Sequence, residues 1–289
     1  MVKVDGIRKT FGAHEVLKGV SFEIKEGTIY GLIGKNGAGK TTLMNIMTGL
    51  LEANGGTVDM GSSAWGSKNK SSVGYLPDLP NFYDYLTTDE YLDFLLMDSN
   101  PVRRNDLLKM VGLSSGLRIR TMSRGMKQRL GIAAVLVNDP DVILLDEPTS
   151  ALDPAGRADV RNILMKLKAE GKTVILSTHI LADMDSICDK AGFLSQGVIV
   201  REVDIARSRE SASVMIVTFA VQPDLDTLRK YAPNLTVENQ QQVKITLDKA
   251  DRLHSQQSIL EGLGKMQQEI TSISSKSFSL DDIFQEVCL

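Results

Sequence analysis

Eight residues, GKNGAGKT at 34–41, carry the first recognisable chemistry in this sequence. Gly34, Gly37 and Gly39 let the backbone turn so that successive N–H groups point into one hollow. The spacing G-x-x-x-x-G-K-[ST] is that of a loop that cradles phosphates, and its flanks agree with that use. An apolar run, TIYGLIG (28–34), enters it, and a run with helical spacing, TTLMNIMTGLL (41–51), leaves it. Lys35, Asn36, Ala38 and Thr42 complete the cradle at the positive end of that helix. Lys40 would reach the β- and γ-phosphates, and the Thr41 hydroxyl would ligate Mg²⁺.

Two acids follow a second apolar run. DVILLD (141–146) ends in Asp146, and Glu147 comes next. A carboxylate at the end of a buried strand, on the phosphate side of a sheet, can hold Mg²⁺ directly or through water. Glu147, one residue on, is placed to polarise an attacking water as a general base. His179 ends a third apolar run, TVILSTH (173–179), which brings it to the carboxyl edge where ligands of parallel sheets bind. Taken alone, such acids are usually solvated and such a histidine usually belongs to the core. The phosphate loop upstream is what gives them a catalytic reading.

These groups need a frame. Near-continuous apolar strands alternate with amphipathic stretches such as ADVRNILMKLKAEG (158–171) and ILADMDSICDKA (180–191), which read as helices around a buried parallel sheet. VSFEI (20–24) alternates as a strand, and GFLSQGVIVREV (192–203) reads as a hairpin about Gln196–Gly197. Residues 78–138 are mostly helical in pattern and form an inserted helical subdomain. The polar stretch GSSAWGSKNKSS (61–72) reads as a loop. After about residue 205 glutamine and serine become frequent, and the order becomes β-α-β-β-α-β, the split βαβ arrangement, followed by a last helix, LDDIFQEV. The expected organisation is an α/β domain at 1–205 and a small accessory α+β domain at 206–289.

Composition narrows the function. The 289 residues carry a net charge of −3, with 42% hydrophobic, 24% charged and 5% aromatic residues, which is ordinary for a globular protein. Neither a basic field nor a stock of stacking aromatics marks a nucleic-acid binder. Two cysteines cannot build a disulfide framework or a zinc cluster, and they fit a reducing compartment. The first residues, MVKVDGIRKTFGAHEVL, are charged where a signal peptide is apolar. No apolar run approaches the roughly 18 residues of a membrane helix, so no direct membrane span is expected.

The order GKNGAGKTT, MSRGMKQRL, VILLDEP, SALD, STH resembles the nucleotide-binding subunit of an ABC transporter over about residues 1–205. The resemblance implies a P-loop NTPase cassette with a RecA-like parallel-sheet core, an N-terminal antiparallel β region and a helical subdomain. It further implies ATP and Mg²⁺ as cofactors, and hydrolysis that drives transport. MSRGMKQRL matches the family signature, usually LSGGQ. In the family this segment opens a helix that faces the γ-phosphate held by a second subunit, so Ser123, Arg124, Gly125 and Met126 would contact a partner's ATP. Physically, Ser123 is a good N-cap, Gly125 permits close approach, and the helix dipole favours an anion. Met126, Leu130, Ala133 and Val137 are expected on the buried face of that helix, with Arg124, Lys127 and Arg129 at its rim. Arg124 and Met126 depart from the commonest pattern, and the resemblance is closest to single-cassette exporters of drugs, antibiotics or peptides.

Asp78, in YLPDLPNF, stands where the resemblance places a glutamine; an aspartate there could ligate Mg²⁺ or order water, although it is shorter and charged. Phe11 stands where an aromatic stacks on adenine. Ser150 and Asp153 match a loop that crosses the dimer interface. The segment around Leu76–Leu86 would receive separate permease subunits, which would hold the chain on the inner face of the cell membrane. A soluble, non-transport ABC ATPase is the competing class, usually marked by two cassettes or a long coiled-coil insert. A weakly hydrolysing regulatory module is another, separated by an ATPase assay.

Overall fold

The computed structural model describes residues 1–61, 73–96, 100–150, 152–181, 184–205, 207–208, 214–247, 252–266, 268–276 and 279–288. The polar stretch expected as a loop at 61–72 lies, apart from Gly61, outside the described residues, as does Ala151 of SALD. The chain forms two compact units, Met1–Val203 with Leu280–Leu289, and Asp204–Ser279.

In the first unit, β3 (Ile29–Ile33), β5 (Val73–Leu76), β6 (Val142–Asp146), β7 (Thr173–Thr178), β8 (Lys190–Ser195) and β9 (Val198–Asp204) make a sheet in the order β5-β6-β7-β3-β8-β9. β5, β6, β7, β3 and β8 run parallel. Every residue of β3, β6 and β7 is buried, which is why their sequences are apolar without alternation. β9 follows β8 through Gln196 and Gly197, both at positive φ, as a two-residue turn requires. A second sheet, order β2-β1-β4, is antiparallel and is built from β1 (Val2–Phe11), β2 (His14–Ile24) and β4 (Gly55–Asp59). Its apolar face joins α1 (Lys40–Met47) in one core with Leu32, Leu43, Met44, Leu144 and Ile175.

The helical part holds α2 (Thr88–Leu95), α3 (Pro101–Met110), a 3₁₀ turn (Ile119–Thr121) and α4 (Arg124–Leu136). Thr87 and Glu90 form a reciprocal capping box that starts α2. Ser123 caps α4 by accepting the Met126 N–H. Leu130, Ala133 and Val137 are buried as expected, whereas Met126 is half-buried because it lies in the first turn, at the rim. α5 (Pro154–Ala169) is capped by Asp153. The helix expected at 180–191 is shorter. α6 spans Met184–Ile187, and Lys190–Ala191 already belong to β8, drawn into the sheet by pairing with Tyr30 and Gly31.

The second unit contains β10 (Val214–Phe219), α7 (Leu225–Tyr231), β11 (Leu235–Val237), β12 (Gln242–Thr246), α8 (Arg252–Lys265) and β13 (Ile270–Lys276). Its antiparallel sheet has the order β11-β12-β10-β13. Alternate residues of β10, Met215, Val217 and Phe219, share a core with Leu228 of α7 and with Ile259 and Leu263 of α8. The last helix, α9 (Leu280–Cys288), departs from the expected boundary, for it packs on β8 in the first unit. Leu280 and Ile283 are buried there, the Leu280 N–H donates to Asp185 Oδ1 at 3.4 Å, and Arg201 pairs with Glu286 at 2.9 Å.

Candidate functional site

The loop from Gly34 to Thr42 joins β3 to α1. Gly39, at φ 106°, is the N-cap residue of α1, and Gly37 has φ 81°. Gly34 is fixed by space as well, since a Cβ there would lie 2.4 Å from the Leu194 carbonyl oxygen. Lys40 is buried and curls over the loop, donating to the carbonyls of Gly34 at 2.7 Å and Lys35 at 3.3 Å. β2 runs beside the loop, and Leu17 and Val16 lie against Gly39. Phe11 sits at the turn of the same hairpin, paired with His14. It is half exposed rather than packed in the core, and the Lys9 ammonium lies 5.1 Å from its ring centre.

Around Lys40 the sheet order gathers residues far apart in sequence. Thr41 donates its hydroxyl to Asp146 Oδ2 at 2.6 Å. The other oxygen of Asp146 accepts from the Ser177 hydroxyl. Glu147 has φ 50°, a left-handed backbone rare for residues other than glycine. Its Oε1 faces Lys40 Nζ at 3.3 Å, and its Oε2 meets His179 Nδ1 at 2.9 Å. Lys40, Thr41, Asp146, Glu147 and His179 therefore come together in one place.

Asp78 lies just after β5 and accepts from the Ser150 hydroxyl at 3.5 Å. Tyr75, on β5, has its hydroxyl buried with no hydrogen-bond partner among the described residues. Burial raises its pKa, and the nearby carboxylates of Asp146 and Asp78 raise it further. The first residues of α4 stand elsewhere. Ser123, Arg124, Gly125 and Met126 share a cleft with Leu152, Asp153 and Gly156, and no residue of the 34–42 loop lines it. A Cβ on Gly125 would come within 3.1 Å of Leu152, so the first turn of α4 and the loop before α5 are close-packed. Of the rim cations, Lys127 pairs with Asp84 at 2.7 Å and Arg129 with Asp159 at 3.7 Å, while Arg124 is exposed.

Sequence reasoning passed over Ser177 and Tyr75. The available signal for Ser177 was weak: one small hydroxyl in an otherwise apolar strand, at the edge where ligands bind. Tyr75 gave none, because a tyrosine in a strand ordinarily reads as packing.

The ABC transporter family profile matches residues 17–150. YxlF of Bacillus subtilis, an uncharacterized ABC transporter ATP-binding protein, is 32% identical over 300 residues, covering 99% of each chain. The fluoroquinolones export ATP-binding protein of Mycobacterium tuberculosis is 36% identical over 228 residues, covering 74% of this chain and 76% of that one. Among solved structures, a dimeric ATP-binding cassette in a post-hydrolysis state with ADP and Pi aligns at a TM-score of 0.63 and 28% identity. The alignment covers 71% of this chain and 99% of that one. The phosphate loop, the acids beside it and these likenesses agree: the chain belongs to the ABC transporter family, as an ATP-binding cassette that hydrolyses ATP for transport.

Proposed function

We propose that the chain powers an exporter through ATP-driven pairing of two cassettes. The observation that carries this reading is the division of the phosphate machinery. Lys40, Thr41, Asp146, Glu147 and His179 meet around one loop, while the cleft that holds Ser123–Met126 contains none of that loop. A helix N-terminus with a free approach favours an anion it does not itself hold. Residues 34–42 would then hold the phosphates of ATP, with Phe11 against the adenine. Ser123, Arg124, Gly125 and Met126 of a second copy would complete the γ-phosphate contacts, with Ser150 and Asp153 crossing between the copies.

Mg²⁺ fits the residues present. Thr41 and Asp146 already place two hard oxygens within 2.6 Å of each other. The buried Tyr75 hydroxyl has no partner among the described residues, and the Asp146 carboxylate is near enough to raise its pKa. Among the described residues no cluster of three or more His, Cys, Asp or Glu stands ready for a metal, so the remaining ligands would come from phosphate and water. Bound there, Mg²⁺ would neutralise charge on the β- and γ-phosphates. Thr41 and Asp146 would hold it, and Asp78 would order its water. Glu147, oriented by His179, would accept the proton of the attacking water.

An exposed aromatic patch supports separate permease subunits as partners. Leu79 is 69% exposed, Tyr85 70% and Phe94 66%, and Tyr83 lies between the last two, tilted by 45° to Tyr85 and edge-on to Phe94. Monomeric surfaces rarely leave such groups together in water. Among the described residues no helix is long and apolar enough to cross a membrane; in this reading the permease subunits would hold the chain at the inner face. The strand order β11-β12-β10-β13 of the second unit supports the ferredoxin-like reading; its role in this reading would be regulatory or dimer-stabilising. The test is light scattering of the Glu147→Gln variant with and without ATP and Mg²⁺. ATP-dependent doubling of mass, lost on adding Ser123→Arg, is the expected result. A mass that never responds to ATP in either background overturns the pairing mechanism.

A further inference from the structure

We infer that Ser177 is a positioning residue, whose hydroxyl sets both the metal-side carboxylate of Asp146 and the backbone of Glu147. Ser177 is fully buried near the end of β7, in parallel register with Asp146 on β6. That register points both side chains to the same face of the sheet. The Ser177 hydroxyl donates to Asp146 Oδ1, and Thr41 donates to Oδ2. With one oxygen held from β7 and the other from α1, the carboxylate has no free rotation left. The same Ser177 oxygen accepts the Glu147 N–H at 3.0 Å, and the Ser177 carbonyl accepts that N–H at 3.2 Å.

That shared acceptance falls where the chain is least comfortable. Glu147 is one of three non-glycine residues with positive φ among those described, and the conformation persists only where surrounding contacts enforce it. Left-handed backbone at Glu147 directs the carboxylate to Lys40 and His179 and away from the continuation of β6. Ser177 therefore supplies one hydroxyl that donates towards the metal ligand and accepts from the base. An alanine or valine would fill the strand equally well and do neither.

This rests on the reading of Asp146 as the metal-holding carboxylate and Glu147 as the base, so Asp146→Asn and Glu147→Gln run beside it as controls. In the full chain, Ser177→Ala is expected to lower kcat about 10–100-fold while KM for ATP changes less than about twofold. A second readout needs no turnover: the gain in affinity for a fluorescent ADP on adding Mg²⁺. Ser177→Ala is expected to move the Mg²⁺ midpoint about 10-fold higher. ADP affinity in EDTA should stay at the parent value. Ser177→Thr, which returns the hydroxyl, is expected to recover most of both effects. Parent kcat and Mg²⁺ midpoint in Ser177→Ala overturn the inference. So does equal loss in the alanine and threonine variants when their thermal midpoints match the parent, because then the hydroxyl is not the cause. If the two control variants keep full activity, the site reading itself fails, and the two failures are told apart.

Discussion

Replacing Leu280 with alanine tests whether the last helix belongs to the cassette. Leu280 and Ile283 are the two buried apolar residues described on α9, at 0% and 8% exposure, and both face the first unit. Burying each contributes about 1.5–3 kcal/mol, so the helix as a whole holds on by about 3–6 kcal/mol of apolar contact. The Arg201–Glu286 pair adds little, because its side chains are 44% and 69% exposed and such pairs contribute about 0–1 kcal/mol. Leu280→Ala should therefore cost about 2–5 kcal/mol, the range for large-to-small changes in a core. Against a total near 5–15 kcal/mol this is a large fraction. With a urea slope of about 3 kcal/mol/M, the midpoint of the cassette transition falls by about 1 M. Hydrogen exchange localises the effect, and faster exchange should centre on β8, under the helix. Val237→Ala, on an exposed position of the second unit, should change neither. An unchanged urea midpoint together with unchanged exchange at β8 would refute the assignment of α9 to the first unit.

Lys40→Ala should abolish binding of a fluorescent ATP analogue, and parent affinity would count against the cradle. Glu147→Gln should still bind ATP but turn over at least ~10²-fold more slowly in a steady-state assay. Gly34→Ala forces a methyl to within 2.4 Å of the Leu194 carbonyl, so it should lose about 1–3 kcal/mol in urea unfolding along with nucleotide affinity. Tyr85→Asp should leave the ATPase rate of the isolated chain intact while reducing its recovery with the membrane fraction. Equal recovery of parent and variant would remove the patch as a docking surface.

The buried parallel strands were legible because burial on both faces leaves no room for polar alternation, and β3, β6 and β7 read as such. β1 was not, since VKVDGIRKTF carries charge and glycine, and its register shifts at Ile7 and between Lys9 and Thr10 break the alternation. Lys40, Thr41, Asp146, Glu147 and His179 could be named because local spacing announces them. Ser177 and the Asp78–Ser150 contact could not, because they follow from strand order, which places β7 between β6 and β3 and β5 outside β6. The return of α9 to β8 was equally hidden. Its apolar stripe shows that it packs on something, but a stripe does not name its partner.

Lys40 and Glu147 serve as each other's counter-ion, at 3.3 Å and with little exposure of either side chain. A glutamine at 147 thus changes two properties at once. It removes a proton acceptor, and it leaves the phosphate loop one unit more positive, which strengthens its hold on any anion. Long-lived ATP complexes of such a variant mix slow chemistry with a stronger field. ADP affinity separates them, because no hydrolysis follows. It should tighten in Glu147→Gln and not in His179→Ala, which disturbs the same carboxylate while leaving its charge beside Lys40.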